Sequence, residues 1–220
     1  MWCEGMVRSG LDPHPQAAWR DGPLHAWARA GLAIGLFGGS FNPAHGGHRH
    51  AALAAMTLAG LDRVAWLVAP RNPLKSPSEL ADYAARVDSA RAQARHPRMA
   101  VSECEGRLGL MYTALSVRRL RAVYPHARFV WIMGADSFLL VHRWRAWRAI
   151  FASAPVAVIP RPGAAMATLR SVAAQHLAFA QVPAERARTL AHMPPPAWTI
   201  LAAQMDARSA TAIRARGQWP

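Results

Sequence analysis

A chain of 220 residues suffices for one domain with a full core, or one domain with a tail. Hydrophobic residues make up 52% and charged residues only 17%, a balance that excludes a disordered polyelectrolyte. The net charge of +14 favours polyanionic partners such as nucleotides, nucleic acid or an anionic membrane surface, and no apolar run reaches the roughly 18 residues of a membrane span.

Residues 1–30 hold scattered tryptophan and proline and lack the continuous apolar core of a signal peptide. They are expected to be an irregular extension, followed by one domain over residues 31–220. Further on, "LAIGLF" (32–37) reads as a buried strand and "GGHRHAALAAMTLAGL" as a helix starting near His45. "RVAWLVA" (63–69) is a second strand, "PRNPLKSPS" a proline-rich loop, and residues 79–95 a helix. A short strand "RMAVSE" precedes an amphipathic helix over 111–125 and a strong strand over 128–134. "ADSFLLVHRWRAWRAIF" reads as helical in parts, "PVAVIP" (155–160) as a strand, and residues 163–196 are weakly patterned. "AWTIL" is a last strand and "SATAIRARG" a closing helix. Strands alternating with helices define an α/β fold, a doubly wound and mainly parallel sheet. In such a sheet ligands bind beyond the carboxyl ends of the strands, where strand order reverses. Cys3 and Cys104 form no Cys-x-x-Cys and no metal-ligand spacing, so a reduced, cytoplasmic protein is expected.

The loop after the first strand, "GLFGGSFNPAHGGH", carries more than a strand and a helix need. Gly38 and Gly39 are expected to turn the chain sharply and to let a ligand approach the backbone. Asn42-Pro43 ends the strand. His45 and His48 are three apart and share a face of the first helical turn, whose free N–H groups and positive dipole end favour an anion. Gly47 removes a side chain that would obstruct a phosphate. Either histidine alone would be an ordinary surface or core residue; it is the ordered set that points to an anion site. Neither GxxxxGK[ST] nor GxGxxG is present, which argues against a P-loop and against a dinucleotide dehydrogenase.

From about residue 32 onward the chain resembles the bacterial nicotinate-nucleotide adenylyltransferases, within the nucleotidyltransferase superfamily that carries a His-x-Gly-His motif. The likeness rests on "GLFGGSFNPAHGGH", "NPLK" (72–75), "MYT" (111–113), "GADSF" (134–138) with Trp144 eight residues beyond Asp136, "RPG" (161–163) and "SATAIR" (209–214), all in one order. Asn42 stands where many members have Asp, Arg145 where several have Tyr, and Arg208 where an apolar residue is usual.

The resemblance implies a Rossmann-like nucleotidyltransferase fold. It also implies adenylyl transfer from ATP to nicotinate mononucleotide, with Mg²⁺ carried on the ATP phosphates and no dedicated metal site. On this reading Gly38, Gly39, Ser40, Phe41, His45, His48, Ser209, Thr211 and Arg214 bind ATP, with Lys75 reaching the phosphates from its loop. His45, His48, Lys75 and Arg214 form the catalytic set. Tyr112, Thr113, Gly134, Asp136, Trp144 and Arg161 bind the mononucleotide, Trp144 by stacking on the pyridine ring. Plainer roles compete: Trp144 as core, Asp136 or Ser209 as helix caps, Lys75 as a solvated loop charge. The arginines at 86, 91, 95, 118, 119, 121, 143, 145 and 148 read as solvated helix faces. Nicotinamide mononucleotide and phosphopantetheine are alternative acceptors. A basic nucleic-acid-binding protein is a remote alternative, because the arginines are scattered and not clustered around stacking aromatics. No membrane partner is expected, and the sequence is compatible with a homo-oligomer.

Overall fold

The computed structural model describes residues 22–71, 79–204, 208–217 and 219. Six strands form one sheet: β1 (Ala33–Gly39), β2 (Arg63–Val68), β3 (Met99–Ser102), β4 (Arg128–Gly134), β5 (Val156–Ile159) and β6 (Trp198–Ile200). Their order is β3-β2-β1-β4-β5-β6, and every pairing is parallel. Side chains alternate along each strand, so β1 feeds two cores. Ile34 and Leu36 face one, and Ala33 and Phe37 face the other.

Helices cover both faces. With Ile34 and Leu36 pack α1 (Gly22–Arg29), through Leu24 and Ala28, and α5 (Thr113–Val123), which follows the short α4 (Cys104–Arg107). The same core takes Phe138 of α6 (Ala135–Leu140) and Trp147, Ile150 and Phe151 of α7 (Trp147–Ser153). The opposite face is covered by α2 (Gly46–Leu58), through Ala51, Ala52, Ala55 and Met56, and by α3 (Tyr83–Gln93), through Val87 and Ala90. After β5 come α8 (Ala165–Leu169), α9 (Val172–His176) and 3-10 turns over Ala178–Ala180 and Ala184–His192; α10 (Ala210–Ala215) closes the chain. This is a Rossmann-like doubly wound fold. Among the described residues no helix is long and apolar enough to cross a membrane.

Three expectations are corrected. The irregular N-terminal extension does not hold for α1. Leu24 and Ala28, four apart, are 3% and 5% exposed, and His25 Nδ1 lies 2.8 Å from the Tyr124 hydroxyl, so partners remote in sequence hold this short helix. The Gly38-Gly39 pair is not the turn. Both glycines end β1, opposite Leu67 and Val68 of β2, and neither has positive φ. Gly38 lacks a side chain because the Trp131 indole of β4 fills that space: a Cβ there would sit 2.2 Å from the ring. The turn begins at Phe41, whose φ of 45° is left-handed, and runs through the cis Asn42–Pro43 bond. Lastly, Arg86 is not on a solvated face; it is 2% exposed.

Candidate active site

β1 and β4 are neighbours in the sheet, but their connections leave in opposite directions, which opens a crevice at their carboxyl ends. A cleft of about 500 Å³ lies there. Its walls come from the end of β1 and the loop after it (Gly38 to Asn42), the first turn of α2, the start of α5, the β4–α6 junction, the end of β5, and α10.

The α2 tip is built by its two histidines. His45 is the N-cap, and its Nδ1 accepts a hydrogen bond from the Gly47 N–H at 3.1 Å. The His45 N–H in turn donates to His48 Nδ1 at 3.1 Å, completing a reciprocal capping box. An imidazole nitrogen that accepts is unprotonated, so each ring carries its proton on Nε2. The ring centroids are 3.9 Å apart. Burial lowers the His48 pKa to about 3, with smaller contributions from His45 and Arg161, so His48 is neutral at physiological pH. Only His48 of the pair lines the cleft; His45 is 5% exposed and buttresses the tip. Phe41, 5.2 Å from His48 ring to ring, packs edge-on against it. Gly47 has no room for a side chain, since a Cβ would come within 2.9 Å of the His45 ring.

Asn42 ties distant segments to this loop. Its Nδ2 donates to the Glu79 carbonyl at 2.7 Å, and its Oδ1 accepts from the Ala81 N–H at 3.0 Å and from the Trp219 indole at 2.9 Å. Its carbonyl accepts from Arg214 Nη1. Arg214 thereby brings α10, capped by Ser209 Oγ on the Ala212 N–H at 3.1 Å, into the cleft wall. Ser209 itself is not a lining residue; Thr211, 3.4 Å from Arg214 Nη2, is exposed beside it.

Across the cleft, Tyr112 caps α5, whose first N–H groups lack helical partners in every such turn. Arg145 Cζ stands 5.1 Å from the Tyr112 ring centroid. Trp144 is not inside a helix. It lies in extended backbone between a 3-10 turn (Val141–Arg143) and α7, half-buried and lining the cleft. Asp136 does not cap α6, since Gly134 holds that position. Its Oδ2 pairs with Arg161 Nε at 3.3 Å, while Arg161 Nη1 donates to the Arg208 carbonyl at 2.8 Å.

Gly38, Gly39, Ser40, Phe41, His48, Tyr112, Thr113, Gly134, Asp136, Trp144, Arg161 and Arg214 therefore meet in one cleft. Lys75 lies outside the described residues. Sequence reasoning missed Glu105, a 4% exposed carboxyl on the cleft wall. Burial raises its pKa to about 7. It also missed Trp131, Arg71 and Arg143, which line the same cleft. Nothing in a linear pattern marks Glu105 as buried. Among the described residues no three His, Cys, Asp or Glu side chains cluster as a metal-binding group.

A strand-end cleft at the switch point, with a histidine-capped helix tip on one side and Tyr112 and Trp144 on the other, is where a doubly wound fold places a nucleotide, and the comparisons with known proteins make the class that of the nucleotidyltransferases. The family model described as cytidylyltransferase-like matches residues 36–216. A probable nicotinate-nucleotide adenylyltransferase of Caulobacter sp. (strain K31) is 50% identical, over 84% of this chain and 98% of the relative. The corresponding protein of Cereibacter sphaeroides (strain ATCC 17025) is 48% identical, over 86% of this chain and 100% of the relative. The chain belongs to the nicotinate-nucleotide adenylyltransferase family, within the cytidylyltransferase-like group. The fold is shared with a solved Plasmodium falciparum nicotinic acid mononucleotide adenylyltransferase complexed with NaAD, at a TM-score of 0.60 and 13% identity, covering 84% of this chain and 83% of that one.

Proposed function

We propose that this chain transfers the adenylyl group of ATP to nicotinate mononucleotide, giving nicotinate adenine dinucleotide and pyrophosphate. The observation that carries the reading is the meeting of His48 and Arg214, from opposite ends of the domain, in the cleft that also holds Trp144 and Tyr112. A mononucleotide phosphate has its second pKa near ~6 and is mostly a dianion at neutral pH. Its oxygen attacks the α-phosphorus of ATP, and the bond to the bridging oxygen of pyrophosphate breaks with its electron pair. No general base is needed, and a neutral His48 suits the task of donor.

Catalysis on this reading is positioning plus charge stabilisation. His48 donates from Nε2 to an ATP phosphate, and His45 holds the helix tip that orients it. Gly38 and Gly39, with Ser40 and Phe41, border the triphosphate. Arg214, supported by Thr211 and the Ser209 cap, takes the outer phosphates. Trp144 stacks on the pyridine, the N–H groups near Tyr112 and Thr113 meet the nicotinate carboxylate, and Asp136, next to Gly134, accepts from a ribose hydroxyl. Arg161, already beside Asp136, adds positive charge near a substrate phosphate. Magnesium enters on ATP as part of that substrate, which suits a site whose carboxylates are one in an ion pair with Arg161 and one held toward neutrality. The test is pyrophosphate release from ATP with nicotinate or nicotinamide mononucleotide as acceptor. Release is expected with nicotinate mononucleotide at the higher kcat/KM; no release with either acceptor refutes the reading.

A further inference from the structure

Arg86 of α3 is a buried cation that takes no part in the chemistry above. Its guanidinium reaches backbone carbonyls of three separate segments. Nε donates to Ala81 at 3.1 Å, Nη1 to Ser40 at 2.8 Å and to Ala69 at 2.7 Å, and Nη2 to Pro70 at 2.9 Å. The Tyr83 ring lies 5.3 Å from its Cζ. One turn along the helix, Ser89 Oγ accepts from the Ala44 N–H at 3.0 Å and lies 3.4 Å from the Phe41 carbonyl, so α3 meets the loop after β1 at Ser40, Phe41 and Ala44. Ser40 and Ala69 both line the cleft.

Burying a cation is costly, and an apolar side chain would fill the same volume without that cost. What only arginine supplies is a rigid fork of five donors, able to hold carbonyls that diverge in direction. A lysine offers three donors from one point and cannot span them. The peptide group is planar and trans, so its carbonyl and the following N–H point opposite ways. Anchoring the Ser40 carbonyl on Arg86 therefore turns the Phe41 N–H away from α3, in a segment whose Ser40 and Phe41 line the cleft.

We propose that Arg86 is a positioning residue: it locks the loops after β1 and β2 into one unit and presents the Phe41 N–H to a substrate phosphate. This rests on the phosphate-transfer reading of the cleft, so the test carries a readout that does not depend on the acceptor. Arg86→Lys, Arg86→Met and a control, Val87→Ala, are compared with the unaltered chain. Val87 is 2% exposed on the same helix and belongs to the apolar core, so its truncation serves as the stability control. Thermal unfolding fixes a temperature at which all samples are folded. Pyrophosphate affinity is then measured by calorimetry, and kcat with ATP and nicotinate mononucleotide by pyrophosphate release. The Arg86 variants are expected to bind pyrophosphate at least tenfold more weakly and to lose at least tenfold in kcat. Val87→Ala should keep both values within twofold despite its lower melting temperature. Wild-type affinity and kcat in Arg86→Lys overturn the proposal, as does an equal loss in Val87→Ala; if Arg86→Met does not fold, Arg86→Lys decides alone. An unaltered chain that binds pyrophosphate but turns over no acceptor refutes the functional reading while the affinities still judge Arg86. One that does not bind pyrophosphate refutes both.

Discussion

Desolvation of the His48 imidazole lowers its pKa to about 3, so the ring keeps one charge state across the pH range of metabolism. Its Nδ1 is occupied by the His45 N–H, which leaves Nε2–H as the group able to meet a phosphate. Loss of one preorganised donor typically costs on the order of 10²–10³ in rate. His48→Ala is expected to lower kcat by about that factor with an unchanged circular dichroism spectrum; folded variant with turnover within threefold of wild type rules out the role. Glu105 shows the opposite effect of burial on an acid. Its folded pKa of about 7 lies above the ordinary 4.5, so the native state holds a proton that the unfolded state has already released between those values. That contribution to stability is full below about pH 4.5 and is lost as pH rises through 7. Glu105→Gln removes the titration and should raise stability at pH 8 by up to about 3 kcal/mol, with little change at pH 4.5. Because His48 titrates in both proteins, the difference between their melting curves over pH isolates Glu105. Equal curves at all pH values contradict the assignment.

At the scale of elements, the loops after strands do the chemistry, and the strands and helices decide what those loops can hold. Five-residue apolar runs such as "FVWIM" in β4 made the strands legible in sequence, and Ser209 and His45 marked helix starts that the structure keeps as caps, whereas the helix read over 79–95 starts only after its Asp82 cap. The glycine pair was misread because a glycine can serve positive φ or close approach, and linear sequence does not distinguish the two. Here the reason is Trp131, which arrives from a strand about ninety positions downstream. Arg86 was misread likewise: its place beside the apolar positions of α3 was visible, but its carbonyl partners at 40, 69 and 70 were not. α1 was missed because a single helix of eight residues owes its stability to remote partners. A Cβ at Gly38 would lie 2.2 Å from an indole that is 2% exposed, whereas a Cβ at Gly39 meets the Phe41 ring at 3.1 Å. Gly38→Ala should lower stability by about 1–3 kcal/mol, the usual cost of overpacking, and Gly39→Ala by less. Urea midpoints measure both, and equal midpoints for Gly38→Ala and the unaltered chain contradict the account.

Across the whole molecule, the parallel order splits the cleft between two halves. The β1–β3 half supplies the His48 tip and the Arg86 clamp; the β4–β6 half supplies Asp136, Trp144 and Arg161. The last helix returns to the first half, because Arg214 donates to the Asn42 carbonyl. Trp144 instead packs against the core that holds Phe138 and Trp147. Among the described residues the two side chains thus share no partner, and on the proposed reading they serve different substrates. Trp144→Ala is expected to raise KM for the mononucleotide about tenfold or more, in line with the ~1–3 kcal/mol of a base-stacking contact, and to leave KM for ATP within twofold. Arg214→Ala should raise KM for ATP and lower kcat together, because outer-phosphate contacts tighten as the leaving group gains charge. Sites without common partners combine additively to within about 0.5 kcal/mol, roughly twofold. The double variant should therefore show the product of the two single losses in kcat/KM, read from initial rates over a grid of both substrates. A product missed by tenfold would mean that the two halves close on their substrates as one body, and would remove the separate assignment of ATP and mononucleotide to opposite walls.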